Sequence, residues 1–301
     1  MNEFVHIATI ADLYGFLKTG ISSHPLLTII RKWPKSNKNI EQIKFTSDLF
    51  YIALKRDIRG SFKYGRNSYD YQEGTMIFIK PGQVATFSPS EAETETEGWT
   101  ILFHPDLIRK YNIGKTISQF SYFNYEINEA LHLSNKERDF LNIIVDNLEQ
   151  EINQNIDAHS QDLIVQNLET ILKYCNRFYD RQFYTRTNLN KDLYTRFETY
   201  LQQYFSSDKL TENGIPNISD CGKALNITGS YLSDLLRIET GKSAKEHIYQ
   251  HLVSRAKTVL LISNKTISEI AYDFGFEYPQ NFSKLFKSKT GMTPTEYRNL
   301  N

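Results

Sequence analysis

Only two cysteines occur in 301 residues, Cys175 and Cys221, and neither stands in the CxxC or Cys/His spacing that zinc coordination needs. A disulfide framework and a zinc module are both excluded. The expected state is two reduced thiols on apolar helix faces in a cytoplasmic protein. The chain also lacks any run of 18 apolar residues, so no transmembrane helix and no membrane partner are expected. Its opening residues, MNEFVHIATIADLYGFLK, have neither a basic leader nor an uninterrupted apolar stretch, so no secretion signal is expected. Net charge is missing as well: 35 basic side chains balance 35 acidic ones. The balance is uneven along the chain. Residues 217–301 hold 11 basic against 8 acidic side chains, a net +3 that leaves −3 on residues 1–216. That asymmetry gives mild support to a polyanionic partner for the C-terminal part.

What is present is a globular composition, 40% hydrophobic, 13% aromatic and 23% charged. The length suggests two folded units. From residue 26 to about 104, short apolar or alternating runs (Leu26 to Ile30, Leu49 to Leu54, Met76 to Ile79, Trp99 to Phe103) are broken by Gly and Pro and predict strands. Residues 74–82 predict a strand followed by a turn, and the acidic EAETETEG at 91–98 a solvated loop.

After Tyr125 the period turns helical. Phe140, Ile144, Leu148 and Ile152 form an apolar stripe behind a Ser134/Glu137 capping box. A second stripe runs through Ile164, Leu168, Ile171, Leu172, Cys175 and Tyr179. Together they predict an αα-hairpin over about 126–180, whose stripes serve either as a dimer surface or as core.

The C-terminal region repeats itself. Offset by 49, Ile218, Cys221, Gly222, Leu225 and Asn226 fall on Ile267, Ile270, Ala271, Phe274 and Gly275. Offset by 50, Leu232, Leu235, Leu236, Thr240, Gly241, Ser243 and Glu246 fall on Phe282, Leu285, Phe286, Thr290, Gly291, Thr293 and Glu296. Each copy predicts a short helix, a turn at a residue tolerant of positive φ (Asn226 or Gly275) and a second helix with one apolar face. The boundaries are about 218–240 and 267–289. A connector of about 244–262 would span roughly 28 Å at 1.5 Å per residue. That length is comparable with the roughly 34 Å between successive major-groove faces of B-DNA.

YLSDLLRIETGKSA at 231–244, RAKTVLL at 255–261, ISEIAYDFGF at 267–276 and YPQNFSKLFKSKTGMTPTEYR at 278–298 make this region similar to the C-terminal domain of the AraC/XylS family of transcription regulators. The strand region with Gly74, Pro81 and Gly82 resembles the family's cupin-type domain. The resemblance implies an α+β chain of two domains. Residues 1–186 would be a cupin-like β-barrel sensor and dimerisation domain carrying the hairpin, and 187–301 an all-α double helix-turn-helix domain.

It further implies that the second helix of each copy enters a major groove of double-stranded DNA. The outward candidates are Ser230, Tyr231, Ser233, Asp234 and Arg237 in the first copy, and Gln280, Asn281, Ser283, Lys284 and Lys287 in the second. Gln280 and Asn281 have the chemistry to pair with adenine edges and Lys284 with guanine O6 or N7, while Lys287 and Lys289 suit phosphates. Asp234 departs from the basic residue frequent there in the family. A homodimer, a small-molecule effector and, for an activator, RNA polymerase complete the implied partners.

Against these stand a cupin-type metal enzyme or metal sensor with a DNA-binding tail, and a regulator acting through protein contacts alone. The seven histidines are scattered, with no HxH pair, and His247 and His251 share a helix face at i and i+4 without a third ligand in view. No catalytic residue, metal or cofactor is therefore expected.

Overall fold

The computed structural model describes residues 3–33, 43–55, 74–87, 98–126, 129–154, 157–185 and 187–299. The acidic stretch 91–97 lies outside the described residues. The chain divides into two compact units, Met1–Gln182 and Phe183–Asn301.

The first unit opens with β1 (Glu3–Ile7), α1 (Ile10–Leu17), β2 (Leu27–Ile30), β3 (Ile43–Ser47), β4 (Phe50–Lys55), β5 (Thr75–Ile79), β6 (Ala85–Phe87) and β7 (Gly98–Phe103). After a short α2 (Asn112–Thr116), β8 (Leu131–His132), α3 (Asn135–Asn153) and most of α4 (Ser160–Thr185) complete it, the last residues of α4, from Phe183, belonging to the second unit. The strands form two sheets, β1-β3-β6 and β2-β7-β4-β5-β8. Among the described residues only β1–β3 is a parallel pair; the other described pairs are antiparallel. The expected barrel is not seen closed among the described residues, whose strands remain in these two sheets.

Side chains alternate across the larger sheet, as a period of two requires. Phe50, Phe78 and Phe103 project to one side, into an aromatic cluster with Tyr122, Phe123 and Tyr179 of α4. Tyr51 and Leu102 face the other side and join Ile7, Ile10, Leu13 and Leu49. Buried against the sheet, the Cys175 thiol lies 3.7 Å from the Met76 sulfur, and burial pushes its pKa up.

Helix α3 starts at the expected capping box: Ser134 accepts from the Glu137 N–H, and Glu137 accepts from the Ser134 N–H at 2.8 Å. Its buried stripe is Leu141, Ile144, Val145, Leu148 and Ile152. The expected Phe140 lies at the edge, 38% exposed, with its ring 4.4 Å from that of Tyr174. A period of 3.6 locates a face only to within one position, and Leu141 takes the interior place.

The elements of the second unit are all helices among the described residues: α5 (Thr187–Ser206), α6 (Lys209–Asn213), α7 (Ile218–Leu225), α8 (Gly229–Thr240), α9 (Ala244–Ile262), α10 (Ile267–Asp273), α11 (Pro279–Thr290) and α12 (Pro294–Arg298). Its core runs through Phe197, Leu201, Cys221, Leu232, Leu235, Leu236, Leu252, Ala256, Ile270, Phe282 and Phe286. No helix among the described residues is long and apolar enough to cross a membrane.

Candidate nucleic-acid interface

Both copies of the repeat fold alike for local reasons. Asn217 caps α7 by accepting from the Asp220 N–H at 3.0 Å, and the chain turns at Asn226 in the left-handed region, φ 60°. Thr228 then caps α8 by accepting from the Tyr231 N–H at 3.1 Å. In the second copy Thr266 and Glu269 form a reciprocal capping box on α10. The chain turns at Gly275, φ 75°, and Pro279 opens α11, where its missing N–H costs nothing. Buried Gly222 and Ala271 occupy equivalent places. A Cβ at Gly222 would stand 2.7 Å from the Ile227 carbonyl oxygen and 2.8 Å from the Gly229 nitrogen, so only glycine admits this close approach of α7 to the turn.

Between the copies, α9 starts at the Ser243/Glu246 box, and the Thr293/Glu296 box starts α12. In all three boxes the glutamate accepts from the backbone N–H of its cap residue. That bond, with one from the cap side chain, holds the pKa values of Glu246, Glu269 and Glu296 below the ordinary value.

Helices α8 and α11 each bury one face. In α11 Phe282 and Phe286 point inward, leaving Gln280, Asn281, Lys284 and Lys287 exposed and Ser283 half-buried. Among the described residues neither Lys284 nor Lys287 is in an ion pair. In α8 Leu232, Leu235 and Leu236 are buried, Ser230 and Ser233 half-buried, and Arg237 exposed. The Asp234 side chain is 16% exposed and accepts from Arg237 Nη2 at 3.3 Å, so the outward cation of this helix is already engaged.

Tyr231 departs from the sequence expectation. It is 6% exposed, with its ring 4.9 Å from that of Phe183, and so belongs to the core instead of the outward face. Its position beside Leu232 and one turn before Leu235 puts it on the inner side, and an aromatic partner more than forty residues earlier fills the remaining space.

A second correction concerns the two histidines. Glu198 of α5 bridges them, with Oε1 3.1 Å from His247 Nδ1 and Oε2 2.8 Å from His251 Nε2. His247 Nε2 lies 2.9 Å from Thr240 Oγ1. Glu198 is thus a third side chain beside the two histidines, a carboxylate that local spacing had not shown. Both nitrogens of His247 are already in hydrogen bonds, and no group of three His, Cys, Asp or Glu side chains among the described residues is arranged to hold a metal. The other cysteine, Cys221, is buried in α7, and burial raises its pKa to about 12.

This arrangement of two capped helix pairs, joined by one long helix, with a polar and basic second helix, is a double helix-turn-helix unit. Residues 221–300 match the family model described as "Helix-turn-helix domain". The chain is 32% identical over 117 residues to the HTH-type transcriptional activator RhaR of Escherichia coli K12, covering 39% of this chain and 37% of that protein. It is 23% identical over 257 residues to the lactose operon transcription activator of Staphylococcus xylosus, covering 84% of each. Among solved structures, the C-terminal domain of AraT, a response regulator from Geobacillus stearothermophilus, is 27% identical, with 36% of this chain and 85% of that one covered at a TM-score of 0.32. The matched stretch thus spans about a third of RhaR and most of the lactose operon activator. The C-terminal unit thus carries a helix-turn-helix domain of the AraC type, and the chain is similar in sequence to transcription activators that share it.

Proposed function

We propose that the protein is a sequence-specific DNA-binding transcription regulator and not an enzyme, with α8 and α11 entering successive major grooves on one side of the duplex. The observation that carries this reading is the exposed row Gln280, Asn281, Lys284 and Lys287 on α11, a set of side chains suited to base edges and phosphates on a helix whose other face is core. In α8 the candidates are Ser230, Ser233, Asp234 and Arg237. Here Arg237 has to leave Asp234 to reach DNA, which makes α11 the stronger source of general affinity. The 19 residues of α9 supply a connector of roughly 28 Å, comparable with the groove repeat.

Residues 1–186 are the effector-sensing and dimerisation part in this reading, with the cupin-like barrel as the architecture that the two sheets would belong to. Ile143 of α3 and Leu163 of α4, 60% and 44% exposed, favour the hairpin as the surface of a homodimer. Both the lactose operon activator and RhaR are activators by name, and an activator role, with RNA polymerase as a partner, is the form proposed for this chain as well.

The test is selection of bound fragments from random double-stranded DNA by the purified full-length protein. A shared sequence with two elements about one helical turn apart is expected. Recovery of no preferred sequence would remove the DNA-reading role and leave a regulator that works through protein contacts.

A further inference from the structure

Helices α5 and α6 precede the residues that match the helix-turn-helix family, yet both helix-turn-helix units rest on them. In the first unit Arg196 Nη2 donates to the Leu225 carbonyl at 3.2 Å, at the end of α7, and Asn190 Nδ2 donates to Glu239 Oε1 at 2.9 Å. In the second unit Thr211 Oγ1 of α6 donates to the Asp273 carbonyl at 3.2 Å, at the end of α10. Beside it the backbones of Gly214 and Gly275 touch: a Cβ on Gly275 would stand 2.6 Å from Gly214 Cα and 3.3 Å from the Leu210 carbonyl oxygen. Tyr204 Oη donates to the Gly214 carbonyl at 2.9 Å and ties this loop back to α5.

In the repeat alignment Leu225 corresponds to Phe274, so Leu225 and Asp273 mark nearly the same point of each copy, the last turn of the first helix. The two copies are therefore joined twice, once through the connector α9 and once through α5, α6 and the loop at Gly214. A frame with one strut can bend at its ends. A frame with two cannot, unless one set of contacts opens.

We propose that α5, α6 and Gly214 form a brace that sets the separation and rotation of α8 relative to α11, and thereby the number of base pairs between the two DNA elements the protein accepts. The proposal rests on the DNA-binding reading above. Inserting one base pair moves the second element by about 3.4 Å and rotates it by about 34°. A braced pair of helices cannot follow that displacement with both sets of contacts intact, whereas a pair held by α9 alone can adjust. Thr211 and Gly275 are positioning residues in this account, since they act through the placement of α10 and α11 and lie off the outward face.

The experiment uses the full-length protein and its selected site, remade with one base pair removed and with one or two added between the elements. The parent is expected to lose at least about tenfold in affinity for each single change of spacing. Gly275→Ala, which wedges the turn away from Gly214, is expected to bind the original spacing more weakly and to differ less than about threefold among the spacings. Thr211→Val removes the hydroxyl donor with little change of shape. It should flatten the profile in the same direction, and it decides the matter if Gly275→Ala does not fold by circular dichroism. A merely structural role would lower melting temperature and affinity while leaving the spacing profile of the folded variants sharp, and that result overturns the brace, as does a parent indifferent to spacing. Failure to select any sequence overturns the DNA-binding reading itself, so the two failures are distinguishable.

Discussion

Glu198 Oε1 lies 3.1 Å from His247 Nδ1, joining α5 to the connector helix α9 at a histidine that is nearly buried. The other oxygen of the same carboxylate is 2.8 Å from His251 Nε2, and Thr240 at the end of α8 approaches the far side of His247 at 2.9 Å. Three helices thus meet at the His247 imidazole. Glu198→Ala leaves the buried imidazole without that partner and is expected to destabilise the second unit by about 1–3 kcal/mol. Urea unfolding followed by circular dichroism measures this, and an unchanged midpoint would show that solvent replaces the carboxylate without cost.

Gly222→Ala is expected to be more damaging than Gly229→Ala. At Gly222 the added methyl meets backbone atoms at 2.7, 2.8 and 2.9 Å, and at Gly229 none closer than 3.1 Å. Backbone cannot rotate aside as a side chain can, so overpacking of the first kind should cost about 1–3 kcal/mol and lower the melting temperature accordingly. Equal melting temperatures for the two variants would contradict this ordering.

Lys284→Ala should cost about 1–3 kcal/mol at the selected DNA site and relax the choice of one base, as expected of a side chain that donates to guanine. Lys287→Ala should weaken binding equally on all sequences and reduce the salt slope by about one unit, as a phosphate contact does. Asp234→Ala frees Arg237 from its 3.3 Å partner and should raise general affinity slightly. Binding of all three variants to single-base variants of the site, at several salt concentrations, separates these roles. Uniform loss for Lys284→Ala across every base variant would make it a phosphate contact instead.

Acid should loosen the second unit through its capping boxes. Backbone N–H donors hold Glu246, Glu269 and Glu296 below the ordinary glutamate value of 4.5. With the folded pKa lowered, the unfolded chain takes up protons first as pH falls. The contribution is therefore complete above about pH 4.5 and is lost as pH drops through the depressed folded values. Melting temperatures measured from about pH 6 to pH 3 should fall, and the triple variant Glu246→Gln, Glu269→Gln, Glu296→Gln should fall less steeply. Parallel curves would remove these carboxylates from the acid response.

Contacts within a few residues were legible in the sequence. The four capping boxes at Ser134, Ser243, Thr266 and Thr293, the left-handed turn residues Asn226 and Gly275, and Pro279 at the head of α11 each depend on neighbours three or four positions away. The outward placement of Gln280, Asn281, Lys284 and Lys287 was legible for the same reason, because Phe282 and Phe286 define the opposite face unambiguously. Tyr231 was not legible, since an amphipathic residue next to Leu232 suits either side of a helix edge. Phe140 and Leu141 pose the same ambiguity.

By itself the sequence determined that helices start and stop where they do, that a helix-turn-helix unit occurs twice, and which face of α11 lies outward, because these follow from local hydrogen bonding and helical period. Only the tertiary structure decided that Phe183 draws Tyr231 inward, that Glu198 joins His247 to His251, that the strands of the first unit lie in two sheets, and that Gly214 meets Gly275. Each of these depends on residues distant in the chain arriving side by side, and such meetings are selected by the packing of whole surfaces, for which no local spacing is a sufficient sign.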